Sequence, residues 1–301
     1  MTTRTPVAFF IFCRPETTER VWARIREAEP KTLYLCADAA RPDREGEAER
    51  VAAARRIVET VDWECDVHRI YADRNMGCHD RVVSGLNEIF QTEERVIVLE
   101  DDCLPDLSFF PYCDELLDRY ADNDRVLAVC GFNPGAETLS REESYSFSRN
   151  PACWGWATWK RAWRLYDDSM SCWSTPARKN GILARNPELR RFLDRMVHAT
   201  ESKQVDSWAN RWLLSALDND ALSCVPRVNL VRHLHSAVGA THVTEDIGIP
   251  AAALDFPLVH PQAIQRNVAL DRVVAERVWD VLPFHRRVLR RLRLMFKGAT
   301  A

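Results

Sequence analysis

The first 130 residues alternate short apolar runs with stretches of helical periodicity, and this alternation restricts the fold more than any other feature. Helices are predicted between the runs, the first opening at Pro15, a residue that suits the first turn of a helix. Strands that alternate with helices form a mostly parallel sheet with helices on its faces. We therefore predict an α/β fold whose ligands bind beyond the carboxyl ends of the strands. The five predicted strands are 7–13, 32–37, 65–71, 96–99 and 126–130.

The alternation stops after Gly131. Residues 133–150 are rich in turn-forming residues, and seven of the ten tryptophans lie between 154 and 212. Trp159 and Trp163 are four residues apart, a spacing that favours a helix with a buried face. Beyond them the pattern predicts helices at 187–199 and 206–217 and a strand at 223–230. We read the second half as an elaboration of one domain over 1–270, in which 1–130 and 131–270 are two halves and 271–301 is a tail.

Composition excludes several classes of protein. Six basic residues and no acidic one lie in 285–298, although the whole chain carries −3, so the body is acidic and unlike a nucleic-acid-binding surface. The ten glycines form neither GxGxxG nor GxxxxGK, which argues against a Rossmann dinucleotide site and a P-loop. Ten cysteines without a CxxC pair and without a visible secretory signal indicate reduced thiols and a cytoplasmic location. No apolar run approaches the ~20 residues that cross a bilayer.

The sharpest chemical signal is the acidic motif Glu100-Asp101-Asp102, which directly follows the apolar run 96–99. Three carboxylates at the end of a buried strand repel one another and lose hydration, so their charges need compensation. Hard oxygen ligands of this kind suit Mg²⁺ or Mn²⁺. The alternative is a solvated turn that caps the next helix.

Other short segments accompany the acidic motif along the chain. They are VAFFIFCRP (7–15), LCAD (35–38), NMGC (75–78), VSGL (83–86), WGWATW (154–159), DSW (206–208) and GATH (239–242). Together and in this order they resemble GT-A glycosyltransferases, in particular bacterial sugar-transferase-like proteins and, more distantly, the N-acetylglucosaminyltransferase I family. The resemblance covers roughly residues 6–245, with Cys13 where asparagine is usual, Ala39 in place of a glycine and Ser207 in place of a second acid.

The resemblance implies a GT-A-like fold, with the nucleotide in the half 1–130 and the acceptor in the half 131–270. It implies that Asp102 binds a metal ion, Mn²⁺ or Mg²⁺, which bridges the two phosphates of the donor. Asp101, with Glu100 beside it, would lie near the ribose or a metal-bound water. Asp38 would accept a hydrogen bond from the uracil edge, although a helix cap is an equal alternative for it. Arg14 would lie close to the nucleotide, against the alternative of an ordinary surface residue.

Two further residues would complete such a site. His242 corresponds to a histidine near the metal and diphosphate, with His233 and His235 as competitors. Asp206 corresponds to the general base that deprotonates the acceptor hydroxyl, and a single base of this kind implies inversion at the anomeric carbon. It could instead be the N-cap of the predicted helix 206–217. Because Ser207 replaces a second acid, Glu201 is a fallback for the base.

The remaining site predictions concern the turn and the tryptophans. Asn75 is expected to shape a turn near the donor together with Gly77, and Arg81 and His79 are weaker predictions for binding the diphosphate. Glycine allows close backbone approach and indole rings stack on sugars, so a saccharide contact and plain packing are equal alternatives for one tripeptide. That tripeptide is Trp154-Gly155-Trp156.

Residues 284–297 place apolar side chains on one helical face and arginines on the other, a pattern typical of an interfacial helix. A helix folded onto the body is the equal alternative, and a membrane contact would place the protein at the inner face of the membrane.

The sequence as a whole predicts a metal-dependent, inverting glycosyltransferase in polysaccharide biosynthesis. The donor would be a nucleotide-diphosphate sugar, UDP-linked, and the acceptor a hydroxyl of a surface glycan or lipid-linked saccharide. The alternatives are a non-catalytic glycan-binding or assembly protein of the same fold and a sugar nucleotidyltransferase, which normally needs a glycine-rich phosphate loop after the first strand.

Overall fold

The computed structural model describes residues 3–234 and 248–281. His235, His242 and the segment 284–297 lie outside the described residues. Ten strands are present in the described part of the chain: β1 (Val7–Ile11), β2 (Thr32–Ala37), β3 (Asp66–Tyr71), β4 (Arg95–Glu100), β5 (Cys103–Pro105), β6 (Val126–Cys130), β7 (Tyr145–Ser148), β8 (Trp156–Trp159), β9 (Leu222–Pro226) and β10 (Val231–His233).

Helices cover the sheet formed by these strands. Short 3₁₀ turns occur at Ala136–Thr138 and Pro187–Leu189. The α-helices in the same residues are α1 (Pro15–Ala28), α2 (Glu47–Val58), α3 (Cys78–Thr92), α4 (Phe109–Arg119), α5 (Lys160–Trp163), α6 (Ser171–Ser174), α7 (Pro176–Arg185), α8 (Arg190–Glu201), α9 (Trp208–Asp218) and α10 (Val268–Arg277).

Eight strands form one sheet in the order β3-β2-β1-β4-β8-β6-β9-β7. The pairings β3/β2, β2/β1, β1/β4 and β6/β9 are parallel, and the other three are antiparallel. The predicted α/β fold with a mostly parallel sheet is confirmed. Strands β10 and β5 form a separate antiparallel pair, in which His233 lies opposite Cys103.

The parallel strands bring distant residues to one edge of the sheet. In β1, all five residues are buried, which is typical of a strand covered on both faces. In the parallel register, Phe10 pairs with Glu100 and Ile11 with Ala37, so β1, β2 and β4 end at the same level. The segments that follow them carry most of the predicted site residues.

The helix predicted to carry Trp159 and Trp163 begins later than expected. Residues 156–159 form β8, which inserts antiparallel between β4 and β6, and only Lys160–Trp163 is helical. Trp159 and Trp163 are both buried, as predicted, but Trp159 reaches the core from a strand. Partners distant in sequence decide this conformation, and a spacing of four residues does not reveal them.

The folded body continues past residue 270, where we predicted that the domain ends. This boundary falls inside α10, whose Leu270, Val274 and Ala275 are buried. All ten cysteines are free in the structure. Within the described residues, no helix combines the length and the apolar character that crossing a membrane requires.

Candidate functional site

A cavity of about 580 Å³ opens beyond the carboxyl ends of β1, β2 and β4, where ligands of open α/β sheets are expected. Phe10, Ile11 and Phe12 form part of its wall, and Arg41, Arg44, Cys78 and Val82 also line it. Seven side chains predicted from the sequence as site residues line this one cavity: Arg14, Asp38, Asn75, Arg81, Glu100, Asp101 and Asp206.

Arg14 compensates the charge of the acidic motif. Its guanidinium forms ion pairs with Asp101 and with Asp102, the latter with 2.6 Å between Nη1 and Oδ2. Asp101 is 1% exposed, and its Oδ2 accepts a hydrogen bond from the Phe12 N–H at 3.0 Å. The compensation required by these carboxylates is thus supplied at least in part by the chain itself.

The three carboxyl groups differ in their electrostatic surroundings. Burial, reinforced by the charge of Asp102, raises the pKa of Glu100 to about 8. Burial also raises the pKa of Asp101, although Arg14 opposes this. At Asp102 burial is outweighed by His233 and Arg14, which lower the pKa to about 2. Asp102 is therefore the carboxylate of the motif that is most firmly ionised at neutral pH.

Asp38 holds the turn that precedes α3. Its carboxylate accepts hydrogen bonds from the N–H groups of Ala39, Met76 and Gly77 at 2.9–3.1 Å and from Asn75 Nδ2 at 3.1 Å. Gly77 has φ 85°, a left-handed conformation that favours glycine. Asp38 does not cap α2, whose N-cap is Gly46, and the contact of Asp38 with a uracil edge stays a prediction.

Arg81 lies in the first turns of α3 and is 7% exposed. Its Nε has no hydrogen-bond partner, and the side chain forms no ion pair with any described residue. The positive charge of Arg81 acts on Asp38 and opposes the rise that burial causes in the pKa of that carboxyl. Buried polar atoms without a hydrogen bond, such as the Arg81 Nε, are uncommon in native structures. The Arg81 side chain lines the cavity.

Asp206 faces the same cavity from the loop before α9. Its Oδ2 lies 3.4 Å from the His79 N–H at the start of α3, and a methyl group on Gly77 would meet that oxygen at 2.7 Å. The N-cap of α9 is Ser207, which accepts a hydrogen bond from Asn210 N–H, so the predicted alternative of Asp206 as N-cap is wrong. Asp206 is exposed, as a group that exchanges protons with a substrate must be.

The positions of His79 and His233 are the ones that the sequence predicts least well. His79 does not line the cavity: Nδ1 lies 2.7 Å from Asp80 and Nε2 lies 2.6 Å from Asp168, which ties α3 to the segment after α5. His233 Nε2 lies 3.5 Å from Asp102 Oδ2. Only the pairing of β10 with β5 brings His233 there, and no local signal in the sequence marks that pairing.

The two tryptophans of the predicted saccharide contact lie in different surroundings. Trp156 is 1% exposed and stacks on Trp208 with 5.4 Å between ring centroids, so its ring is packed and cannot face a sugar. Trp154 is half-buried, and its ring centroid is 5.8 Å from that of His233. A contact between Trp154 and a saccharide remains a prediction.

Gly155, between the two tryptophans, serves backbone packing. Its φ is 66°, and its carbonyl oxygen accepts a hydrogen bond from the Gly131 N–H at 2.7 Å. A methyl group at this position would meet the Val231 side chain at 2.6 Å. The close approach that the glycine permits is thus to β10, and the described contacts show no need for a ligand there.

The acidic motif fits a divalent cation in its chemistry, because its oxygens are hard ligands and already hold a cationic group, the Arg14 guanidinium. Within residues 3–234 and 248–281, no group of three or more His, Cys, Asp or Glu side chains is arranged to hold a metal ion. Any metal at Asp102 would therefore need further ligands, from a bound substrate, from water or from elsewhere in the chain. The predicted ligand His242 lies outside the described residues.

Three solved structures resemble the chain at low identity. An inositol-1-phosphate CTP transferase from T. maritima has 10% identity and a TM-score of 0.38, and covers 74% of this chain and 85% of its own. The mannosyltransferase PcManGT from Pyrobaculum calidifontis, in complex with GDP-Man and Mn²⁺, has 12% identity and a TM-score of 0.36, and covers 72% and 74%. A UDP-glucose pyrophosphorylase complexed with UDP-glucose has 8% identity and a TM-score of 0.29, and covers 55% and 79%.

Neither sequence comparison extends these likenesses. No family model matches the chain, and no curated protein matches it. Identities of 8–12% with TM-scores of 0.29–0.38 do not define a family for this chain.

Proposed function

We propose that this protein transfers a sugar from a nucleotide-diphosphate sugar, UDP-linked, to a hydroxyl group of a saccharide acceptor. The observation that supports this most strongly is the combination of Arg81 and Asp206 in one cavity. Arg81 is a buried cation that forms no ion pair with a described residue and whose Nε has no hydrogen-bond partner, and Asp206 is an exposed carboxylate. A diphosphate would pair with the cation, and a hydroxyl nucleophile would use the carboxylate as its base.

The diphosphate end of the donor would lie along Arg81 and near Arg14. Arginine presents planar, bidentate donors that match phosphate oxygens, and burial strengthens such contacts. Asp38 acts here as a positioning residue, because its hydrogen bonds to Met76 and Gly77 set the turn from which α3 and Arg81 begin.

A divalent cation, Mn²⁺ or Mg²⁺, is part of the proposal, with Asp102 as its protein ligand and Asp101 beside it. When bound, such an ion stabilises the negative charge that develops on the departing diphosphate. The low pKa of Asp102 keeps that carboxylate ionised, which is the form a cation requires.

Asp206 is the proposed catalytic base. It would take the proton of the acceptor hydroxyl as the oxygen attacks the anomeric carbon, while the bond between that carbon and the diphosphate oxygen breaks. A single displacement of this kind inverts the configuration at the anomeric carbon. Trp154, half-buried beside His233, is the proposed saccharide contact.

The test compares binding and turnover in the same variants. Thermal shifts with a panel of nucleotide sugars, each with Mn²⁺ and with EDTA, identify the donor, because a ligand that binds only native protein stabilises it by about 2.7 kcal/mol at a hundredfold excess over Kd. Release of the nucleoside diphosphate by slow transfer to water then reports turnover without a known acceptor. We expect Asp206→Asn to keep the thermal shift and to lose turnover about a hundredfold or more.

The matched control is Glu201→Gln, which removes an exposed carboxylate at the end of α8, outside the cavity. It should leave both binding and turnover unchanged. If Glu201→Gln abolished turnover and Asp206→Asn did not, the base would be assigned wrongly. Binding without turnover in the wild type would instead favour a non-catalytic nucleotide-sugar-binding protein.

A further inference from the structure

The Arg14 guanidinium occupies the position in which a cation would contact the acidic motif. It pairs with both Asp101 and Asp102, and the three side chains are 12%, 2% and 13% exposed. Nη1 donates to Asp102 Oδ2 at 2.6 Å, while the other terminal nitrogen reaches Asp101 Oδ1. One guanidinium therefore joins the two carboxylates in a setting from which water is largely excluded.

The backbone of Arg14 is anchored independently of these ion pairs. Its carbonyl oxygen accepts hydrogen bonds from the Thr18 N–H at 2.9 Å and from the Thr18 hydroxyl at 2.7 Å, in the first turn of α1. The Nε of the side chain is buried without a hydrogen-bond partner. Among the described residues, the hydrogen bonds and ion pairs of the side chain are thus those of its two terminal nitrogens with Asp101 and Asp102, and the nearby charge of Glu100 also attracts the guanidinium.

We propose that Arg14 is a built-in competitor for the divalent cation at Asp101 and Asp102, so that metal binding requires the guanidinium to give up these carboxylates. The proposal rests on the proposed function for the identity of the metal site. It adds that the free protein holds its acidic motif in a self-neutralised form with a low affinity for metal.

The physical reason is the repulsion between two positive charges. A divalent cation and a guanidinium on adjacent carboxylates repel each other, and the repulsion is large because the site is poorly solvated. The metal must also take Asp102 oxygen lone pairs that now accept from Arg14. An anionic diphosphate in the same cavity would attract the released guanidinium, which would couple the binding of metal to the binding of the donor.

The test measures binding of Mn²⁺ alone to the full-length protein near neutral pH, from the EPR signal of the free ion and without nucleotide. We expect Arg14→Gln to bind Mn²⁺ about tenfold or more tightly than the wild type. The matched control is Arg44→Gln, which removes an arginine from the same cavity wall that forms no ion pair with the acidic motif in the described residues. It should change the affinity by no more than about twofold.

A second substitution tests whether the increase in Mn²⁺ affinity depends on Asp102. Adding Asp102→Asn to Arg14→Gln should remove the increased affinity, because the carboxylate that Arg14 had masked is then lost. A gain that persists in the double variant would overturn the proposal, as would an Arg14→Gln affinity equal to or weaker than that of the wild type, including no binding by either.

If circular dichroism shows that Arg14→Gln is unfolded, Arg14→Met takes its place. Methionine has a long side chain without a positive charge, so we still expect tighter Mn²⁺ binding than in the wild type. No gain in Arg14→Met would then count against the proposal. The thermal shift of the wild type with nucleotide sugars is measured on the same preparations: its absence contradicts the proposed function, whereas the comparison with metal alone concerns only Arg14.

Discussion

At the scale of single residues, two buried arginines of one cavity differ in a way that the sequence does not show. Arg14 is paired with two carboxylates, and Arg81 forms no ion pair within the described residues. A paired guanidinium neutralises its neighbours, whereas Arg81, under the proposed function, would pair with the diphosphate of the donor. The sequence predicts both arginines as site residues, but their partners depend on geometry.

This difference leads to a prediction for Arg81. In Arg81→Gln we expect binding of the nucleotide sugar to weaken about 10–100-fold, because a charge-assisted hydrogen bond to the ligand is lost. The unfolding free energy without ligand should stay within about 0.5 kcal/mol of the wild type or rise, since no described ion pair is broken. Isothermal calorimetry and denaturant unfolding measure the two quantities.

The contrasting variant is Arg161→Gln. Arg161 is also partly buried, but its guanidinium donates to the carbonyl oxygens of Ala121, Tyr120 and Val126 at 2.6–3.1 Å. The Arg161→Gln variant should be less stable than the wild type and bind the ligand with unchanged affinity. Equal losses of stability in the two variants would show that Arg81 serves the fold rather than the ligand.

At the scale of elements, two neighbouring residues at the start of α9 have different roles, one in stability and one in the proposed chemistry. Ser207 is the N-cap, and Asp206 precedes it and faces α3. Ser207→Ala should lower the unfolding free energy by about 1 kcal/mol, the usual cost of losing such a cap, with little effect on turnover per folded molecule. Denaturant unfolding and donor turnover together check this. A comparable loss of stability in Asp206→Asn would mean that Asp206 also holds the helix.

The tight contact between β8 and β10 gives a second prediction at this scale. Gly155→Ala combines a positive φ with a clash against Val231, and should destabilise the protein by about 2–4 kcal/mol. Gly46→Ala isolates the backbone cost, because Gly46 has φ 74° and nothing lies within 4 Å of the added methyl group. It should cost about 1 kcal/mol.

The double variant Gly155→Ala/Val231→Ala separates the two causes. Removing the valine methyl groups relieves the clash but leaves the strained φ, so the two substitutions should be strongly non-additive. Simple additivity in denaturant unfolding would show that the contact with Val231 is not what requires a glycine.

The elements predicted best from the sequence are those whose signal is local. Strand β2 and helix α1 lie where the apolar runs and Pro15 place them, and α3 lies between two of the predicted strands, as expected. Strand β8 was not predicted, because its identity as a strand depends on pairing with β4 and β6. The apolar, Trp-rich segment satisfies a buried helix and a buried strand equally well until those partners are known.

At the scale of the whole molecule, the site also combines residues whose positions follow from the predicted topology with residues whose positions depend on distant contacts. The carboxyl ends of parallel strands meet at one edge, so the grouping of Arg14, Asp38 and the acidic motif follows from the predicted topology. The contribution of Asp206 depends on how α9 docks against α3, and that of His233 on the β10/β5 pairing. Neither contact has a periodic or compositional signal.

The extent of the folded body is a last property of the whole molecule, and it depends on a buried carboxylate beyond the predicted domain end. Asp271 in α10 is 5% exposed and accepts hydrogen bonds from the Ser148 hydroxyl at 2.6 Å and the Arg149 N–H at 3.1 Å, besides pairing with Arg266. It thereby joins α10 to the end of β7, the edge strand of the sheet.

We expect Asp271→Ala to cost about 2–3 kcal/mol of unfolding free energy, because the buried Ser148 hydroxyl loses its acceptor and the half-buried Arg266 keeps only its longer ion pair with Glu188. Asp255→Asn is the control: its ion pair with Arg227 is long, at 3.5 Å, and Asp255 is 95% exposed, so its loss should be nearly neutral. Denaturant unfolding of both variants measures the difference. A neutral effect of Asp271→Ala would place the end of the cooperative unit before α10 and restore the boundary near residue 270.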